Sequence, residues 1–240
     1  MVQVNAREEG ARVKELLIEI IGAPLGTIVS QLIFAAQFTV YLSLIAFVGG
    51  GIAAVFITLA RIAPYKPVQS VATGYIWLFQ STPLLMLLFL CGLGFPHLLQ
   101  FQISPWTAAS VALTIFTSAY LAEVWRGAIG AVGMGQWEAS KALNLRYVVM
   151  LRRIIIPQAV KFGLAPTIGF LVQIIKGTSL AYIIGFHDLM LIGKRWANAP
   201  VDGSEPFVVY PIMALLYFCL CYPLALFARQ LEQKALARGQ

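Results

Sequence analysis

In a chain of 240 residues that is 60% apolar and only 11% charged, the few polar side chains are the ones to question for chemistry. The stretch from Gly135 to Val160, GQWEASKALNLRYVVMLRRIIIPQAV, gathers Glu138, Lys141, Arg146, Arg152 and Arg153. Gln80, Ser81, Thr82 and Pro83 interrupt an apolar run, and Glu123 and Arg126 stand three apart. Lys161, Gly163, Pro166, Gly169, Gln173, Lys176, Thr178 and Ser179 follow Pro157 in a further run. None of these groups reads as a covalent catalyst. The chain has no G-x-S-x-G nucleophile elbow, and His97 and the His187-Asp188 pair have no nucleophile near them in sequence. The IIKGTSL segment has Lys176 and Thr178 but lacks the glycines whose amides cradle phosphate. Cys91, Cys219 and Cys221 are an odd number inside apolar runs, without metal-ligand spacing, and read as buried free thiols. What remains is a set of polar groups suited to non-covalent contact.

The elements that must position these groups are membrane helices. Charges are missing from residues 20–60, 67–122 and 206–228, and a helix needs about 20 apolar residues to cross the hydrocarbon core. The runs are continuous rather than alternating, which excludes barrel strands. The fold class is therefore all-α, a polytopic membrane protein, with spans expected at 34–60, 68–93, 106–128, 155–176 and 207–229. No linker or repeat divides the chain, so residues 1–240 read as one domain. Residues 1–30 form an extension that lacks the basic-then-apolar pattern of a leader. Its Leu16, Leu17, Ile20 and Ile21 fall at helical spacing, suited to a short helix along the membrane surface or to a frayed cap on the first span. Residues 61–67, 123–161 and 229–240 carry eleven Lys and Arg against six on the opposite side. The positive-inside rule then puts the Gly135–Val160 stretch in the cytoplasm, the N-terminus outside and the C-terminus inside. The net charge of +7 is thus a topology signal, and no basic patch interleaved with aromatics speaks for nucleic acid.

Within the cytoplasmic stretch, GQWEASKAL reads as a short helix, with Glu138 early and Lys141 late, both favourable to the helix dipole. Ala139, Ala142 and Leu143 form a face of little bulk against which another surface can seat. Asn144 suits the left-handed position after a helix. A loop that only touches lipid headgroups is the alternative on these residues alone.

The segment resembles the EAA loop in the membrane subunits of bacterial ABC importers. That pattern is Glu-Ala-Ala, three residues, Gly, nine residues, Ile, one residue, Leu-Pro. Here it is Glu138-Ala139-Ser140, three residues, Asn144, nine residues, Ile154, one residue, Ile156-Pro157, with spacing kept and three identities changed. QFTVYLSL (37–44), FQSTPLLMLLF (79–89), SAYLAEVWRGAI (118–129) and PQAVKFGLAPTIGFLVQIIKGTSLAYIIG (157–185) are similar, in order, to segments of the polar amino-acid branch, related to the histidine and glutamine permeases. The resemblance implies a type I importer fold and a coupling segment over 133–157. Its residues would be Gly135, Gln136, Glu138, Ala139, Ser140, Ala142, Leu143, Asn144 and Pro157. It also implies two copies of a separate ATPase that binds ATP and Mg, a second permease subunit, identical or homologous, and a periplasmic amino-acid-binding protein. The chain itself would hold no cofactor and would sit, multi-pass among lipid, in the bacterial inner membrane.

Polar residues at membrane depth usually face a cavity or a partner. The fourth span, with its prolines and glycines, is expected to be the most broken and to line the path through Gly169, Gln173, Lys176, Thr178 and Ser179. Gln80, Ser81, Thr82, Pro83, Ser118 and Tyr120 are further path candidates. Glu123 and Arg126 read as an intrahelical pair. The HDL stretch at 187–189 offers a contact for the binding protein. Relatives often carry a polar or acidic residue where Gly177 stands, so its absence disfavours a basic substrate or assigns the ligand to a sister subunit. A secondary transporter or channel working without an ATPase is the competing reading, and it predicts paired broken helices in two repeats.

Overall fold

The computed structural model describes residues 12 and 15–237. Among these every regular element is helical. A short helix α1 (15–21) exposes Leu16, Ile20 and Ile21 before a turn at Gly22; the rest of the extension's first 14 residues, apart from Arg12, lies outside the described residues. Then come α2 (Leu25–Ile62), α3 (Lys66–Ser81) and α4 (Leu84–Phe89), which runs through a π turn (Leu90–Gly94) into α5 (Phe95–Leu98). After these follow α6 (Pro105–Gly130), α7 (Met134–Ala142), α8 (Tyr147–Met150), α9 (Ile156–Thr178), α10 (Leu189–Ala197) and α11 (Pro206–Ala237). Four stretches are long and apolar enough to cross a bilayer, Leu25–Ile62, Pro105–Gly130, Tyr147–Ile184 and Pro206–Ala235, and the bent pair Lys66–Ser81 with Leu84–Leu98 is the fifth if it counts as one span. Four of the five expected spans are therefore present as single stretches, longer than the expected bounds, and the second is divided by a 98° bend.

Packing is set by small residues. Lipid is as apolar as leucine, so helices associate in it by close approach rather than by escape from water. Helix α2 buries Ala35, Thr39, Ala46, Gly50, Ala54 and Thr58 along one face, and α6 buries Ala108, Ala109, Ala112, Thr117, Ala119 and Ala122. These two faces meet in the most extensive helix pair of the structure. The Thr58 hydroxyl ties them, donating to the Ala54 carbonyl at 2.7 Å and lying 3.3 Å from that of Ala122. Around this seam α9 packs on α6, and α11 on α9. Helix α6 starts where its sequence says it should, with Ser104 Oγ accepting from the Thr107 amide at 3.1 Å and Pro105 at the first helical position.

The breaks fall elsewhere than expected. Helix α9 is continuous from Ile156 to Thr178 despite Pro166. Pro157 lies in its first turn, where a missing N–H costs nothing, and Thr167 Oγ1 donates to the Gly163 carbonyl at 2.6 Å beside Pro166. That bond does not replace the one Pro166 forfeits, which would have gone to the Phe162 carbonyl. The second span is the broken one. Thr82, preceding Pro83, is extended at φ −89° and ψ 126°, as steric conflict with the proline ring demands, and the halves on either side bend by 98°.

A Cβ at Gly50 would lie 2.5 Å from the Thr117 Cβ and 3.0 Å from the Thr114 carbonyl oxygen, whereas one at Gly51 meets nothing nearer than 3.9 Å. Gly50→Ala should lower stability by about 1–3 kcal/mol, the usual range for overpacking, while Gly51→Ala should be neutral or slightly stabilising. Thermal unfolding in detergent measures both; equal behaviour would contradict the seam.

Candidate functional site

The Gly135–Val160 stretch folds as a knob on one end of the bundle. Helix α7 begins after Gly133 and closes with a left-handed residue, Asn144 at φ 50°. The Asn144 amide donates to the Lys141 carbonyl at 2.9 Å and the Leu145 amide to the Ser140 carbonyl at 3.2 Å, the paired bonds of a Schellman turn. Asn144 thus occupies the position where the EAA pattern has Gly, and it adopts a left-handed conformation that suits either residue. One side of α7 is anchored. Ser140 is 1% exposed, its hydroxyl donating to the Gln136 carbonyl at 2.6 Å. Trp137 packs against the cluster of Val132, Met150, Leu151 and Ile155. The other side is open: Gly135, Gln136, Glu138, Ala139, Ala142 and Leu143 are all exposed, Leu143 at 72% and the adjoining Met134 at 71%. From the anchor a π turn (Leu151–Ile155) leads into Pro157 and α9. Tyr147 ties α8 to the end of α2, its hydroxyl donating to the Ile62 carbonyl at 2.6 Å. A push on α7 therefore reaches α9 and α2 through packed side chains.

The path candidates separate into two sets. Gly169, Gln173 and Lys176 fall at i, i+4 and i+7 on α9, with Gln173 and Lys176 exposed. Among the described residues nothing covers the Gln173 and Lys176 side chains, while Gly169 is half-buried. Gln80 and Tyr120 meet beside the α3–α4 break: the Tyr120 hydroxyl lies 3.5 Å from the Gln80 carbonyl, and Gln80 Nε2 lies 3.4 Å from the Ala119 carbonyl. Tyr120 stacks on Phe170, centroids 5.2 Å apart, which joins this set to the helix turn of Gly169. Ser81 is exposed at the end of α3 and Pro83 opens α4. A Cβ at Gly177 would approach Leu84 Cδ2 to 2.9 Å, so the break brings α4 against the end of α9. Other hydroxyls are occupied locally. Thr82 Oγ1 donates to the Leu78 carbonyl (2.7 Å), Thr178 Oγ1 to that of Ile175 (2.7 Å) and Ser179 Oγ to that of Lys176 (2.6 Å). Ser118 is fully buried, bonded to the Tyr75 hydroxyl at 2.7 Å.

Glu123 and Arg126 form the expected intrahelical pair, Arg126 Nη2 to Glu123 Oε1 at 2.6 Å. His187 surfaces beside Arg195 at 3.2 Å, but Asp188 is wholly buried and offers no contact to a binding protein. Of the three thiols, Cys221 is buried, Cys91 half-buried and Cys219 exposed on α11. No group of three or more His, Cys, Asp or Glu able to hold a metal exists among the described residues. A cavity of about 370 Å³ between α2, α6 and α9 is apolar, lined by Leu59, Trp125, Ile129, Val160 and Leu164 among others, and contains none of the path candidates.

Comparison with known proteins decides what kind of machine this is. Residues 50–236 match the family described as binding-protein-dependent transport system inner membrane component. The chain belongs to that family. It is a multi-pass inner membrane component of a transport system rather than an enzyme. Among its relatives, the probable amino-acid ABC transporter permease YckA of Bacillus subtilis is 33% identical over 82% of this chain and 85% of its own. The probable glutamine ABC transporter permease GlnM of the same organism is 31% identical over 82% of this chain and 89% of its own. The crystal structure of an amino acid ABC transporter with histidines superposes at TM-score 0.79, with 30% identity over 85% of this chain and 94% of that one. An inward-facing MetNI methionine ABC transporter shares the fold at TM-score 0.70 and 18% identity, over 85% of this chain and 96% of that one. The expectation of an importer permease is met, and the secondary-transporter alternative is set aside.

Trp137, Tyr75, Phe116 and Phe170 were not among the sequence candidates. Trp137 could have been found, since it and Ser140 stand three apart on the side of α7 opposite the open one. Phe116 stands four before Tyr120, and their rings lie 4.5 Å apart; the Tyr75–Ser118 bond joins two helices and leaves no local signal. The left-handed turn yields a direct test. Asn144→Gly should leave the knob unchanged, while Asn144→Val should weaken it by about 1–2 kcal/mol, the penalty of left-handed backbone for an ordinary residue. Tryptic cleavage at Arg146 should accelerate in the Val variant only.

Proposed function

We propose that this chain is the permease subunit of an ATP-driven importer of polar amino acids, and that α7 is the helix through which a separate ATPase drives it. The observation that carries the reading is the two-sidedness of α7. Trp137 and Ser140 fix it to the body, while Ala139, Ala142 and Leu143 are left uncovered beside Met134. Ungainly exposed apolar side chains flanking small ones suit a protein groove better than water. In this reading two copies of the ATPase hold ATP and Mg, a second permease subunit, identical or homologous, covers the Gly169–Gln173–Lys176 stripe, and a periplasmic binding protein delivers the amino acid. Residues 61–67, 123–161 and 229–240 face the cytoplasm and the N-terminus lies outside.

The uncovered stripe supports the second subunit. A glutamine and a lysine at membrane depth are costly against lipid and are tolerated where protein or water faces them. The amino-acid class rests on the names of the relatives, of which the arginine transport permease ArtQ of Bacillus subtilis, 31% identical over 77% of this chain, is a further member.

Two variants separate the two sites. Ala139→Trp should cut recovery of the ATPase that co-purifies with this chain by about tenfold or more, equivalent to about 1.4 kcal/mol of binding. Gln173→Leu should leave that complex intact and lower amino-acid uptake into membrane vesicles. An undiminished complex with Ala139→Trp would overturn the coupling assignment, and full uptake with Gln173→Leu the path assignment.

A further inference from the structure

The apolar cavity of about 370 Å³ bordered by α2, α6 and α9 plays no part in the transport reading. It is a groove open at the side of the bundle, where Val55 and Leu59 of α2 and Val160 and Leu164 of α9 are exposed. Trp125 lines it and is held in place, its Nε1 donating to Thr167 Oγ1 at 2.9 Å. At the end nearest the knob, Ile62, Ile129 and Ile156 line the groove and also pack in the cluster that anchors α7.

Length and direction limit what can lie in it. From Ile156 to Thr167 the α9 wall covers about 17 Å at 1.5 Å per residue, close to the depth of one leaflet, about 15 Å. A membrane-crossing helix of a second subunit needs a groove about twice as long. The groove also faces away from the place proposed for that subunit. At 3.6 residues per turn, Ile156, Val160, Gly163 and Thr167 point about 140° around α9 from Gly169, Gln173 and Lys176. Helix α1 adjoins the opposite end of α2, so it does not reach the groove either. A single acyl chain fits both the length and the apolar lining.

Charge then selects the lipid. Arg152 and Arg153 stand about one turn before Ile156, and Lys161 follows Val160; all three are exposed. Helical side chains lean toward the N-terminus of their helix, which carries the Lys161 ammonium back toward the two arginines while its stem stays on apolar surface. The only ion pair among the described residues is Glu123–Arg126, so no described carboxylate pairs with these cations. Basic side chains bordering a gap between membrane helices attract anionic headgroups. We propose that the groove is a binding site for an anionic phospholipid, with one acyl chain against Trp125 between α2 and α9 and the phosphate met by Arg152, Arg153 and Lys161. Through Ile62, Ile129 and Ile156 the bound lipid abuts the junction that joins α7 to α9.

The test uses Trp125 as its reporter. The full chain, with the proteins that co-purify with it, is placed in phosphatidylcholine vesicles that contain a minor fraction of phosphatidylglycerol or phosphatidylcholine brominated on the acyl chain. Bromine quenches a tryptophan only on contact, and the difference between wild type and Trp125→Phe isolates the Trp125 signal. Brominated phosphatidylglycerol should quench it at about tenfold lower mole fraction than brominated phosphatidylcholine. Replacing Arg152, Arg153 and Lys161 together by Gln should bring the two lipids level. Val160→Phe, which fills the mouth of the groove, should abolish quenching by both without lowering the melting temperature. Mass spectrometry gives a count that needs no tryptophan variant: phosphatidylglycerol should stay with wild type through detergent extraction and be lost from the triple variant. Equal quenching by the two lipids in wild type, or a preference that survives the triple replacement, would overturn the proposal. So would a Trp125 that neither lipid reaches, the result of a protein partner in the groove, or displacement of the brominated lipid by inorganic phosphate, the result of a site for a free anion. None of these readouts depends on what the chain transports.

Discussion

Hydrocarbon offers a helix neither hydrogen bonds nor a hydrophobic reason to leave it, and this fold answers both constraints with small residues. The α2–α6 seam of alanine, glycine and threonine brings two backbones close enough for Thr58 to bond across them and for Gly50 to lie under Thr117. Once that pair is fixed, the remaining helices have defined faces to pack on. Helix α9 lies along α6 with Trp125 Nε1 donating to Thr167 Oγ1 at 2.9 Å, and the broken α3–α4 span is held by Tyr75 and Gln80 against α6. A bulkier seam would move every one of these contacts.

The same scaffold explains why the polar segments can act at a distance from one another. The knob at α7 is joined to α9 by the cluster around Ile155, and α9 carries the polar stripe at its far half. A helix continuous through Pro166 transmits a displacement along its length, which an interrupted one would absorb. The break is instead in the second span, where Thr82 and Pro83 let α4 turn away and reach the end of α9. In the proposed importer this division gives one stiff element that moves and one bent element that frames the path.

Much of this was legible in the residues. Charge-free runs located four of the five spans, because ionised groups are costly in the bilayer core, whereas 155–176 carries Lys161 and Lys176. Asn144 announced its left-handed turn, and Glu123 with Arg126 announced their pair, since both are local events within one helix. What the residues hid depends on neighbours distant in the chain. Proline and glycine in 157–177 suggested a broken helix, but Pro157 falls in the first turn and the helix runs on past Pro166. Residues 68–93 read as one continuous span, and the chain turns by 98° at Thr82–Pro83 within it. Ser118 and Thr178 looked available for a solute and are spent on internal bonds. Asp188 looked like a surface contact and is buried at a junction of α2, α10 and α11.

The account stands on the α7 knob facing the side of the membrane where a motor can reach it. The most direct measurement is thiol labelling of Glu138→Cys in a chain whose three native cysteines have been replaced, using a membrane-impermeant maleimide on cells. Protection in cells stripped of their outer barrier, followed by rapid labelling once the inner membrane is opened, is the predicted result. Labelling of position 138 before the inner membrane is opened would contradict it.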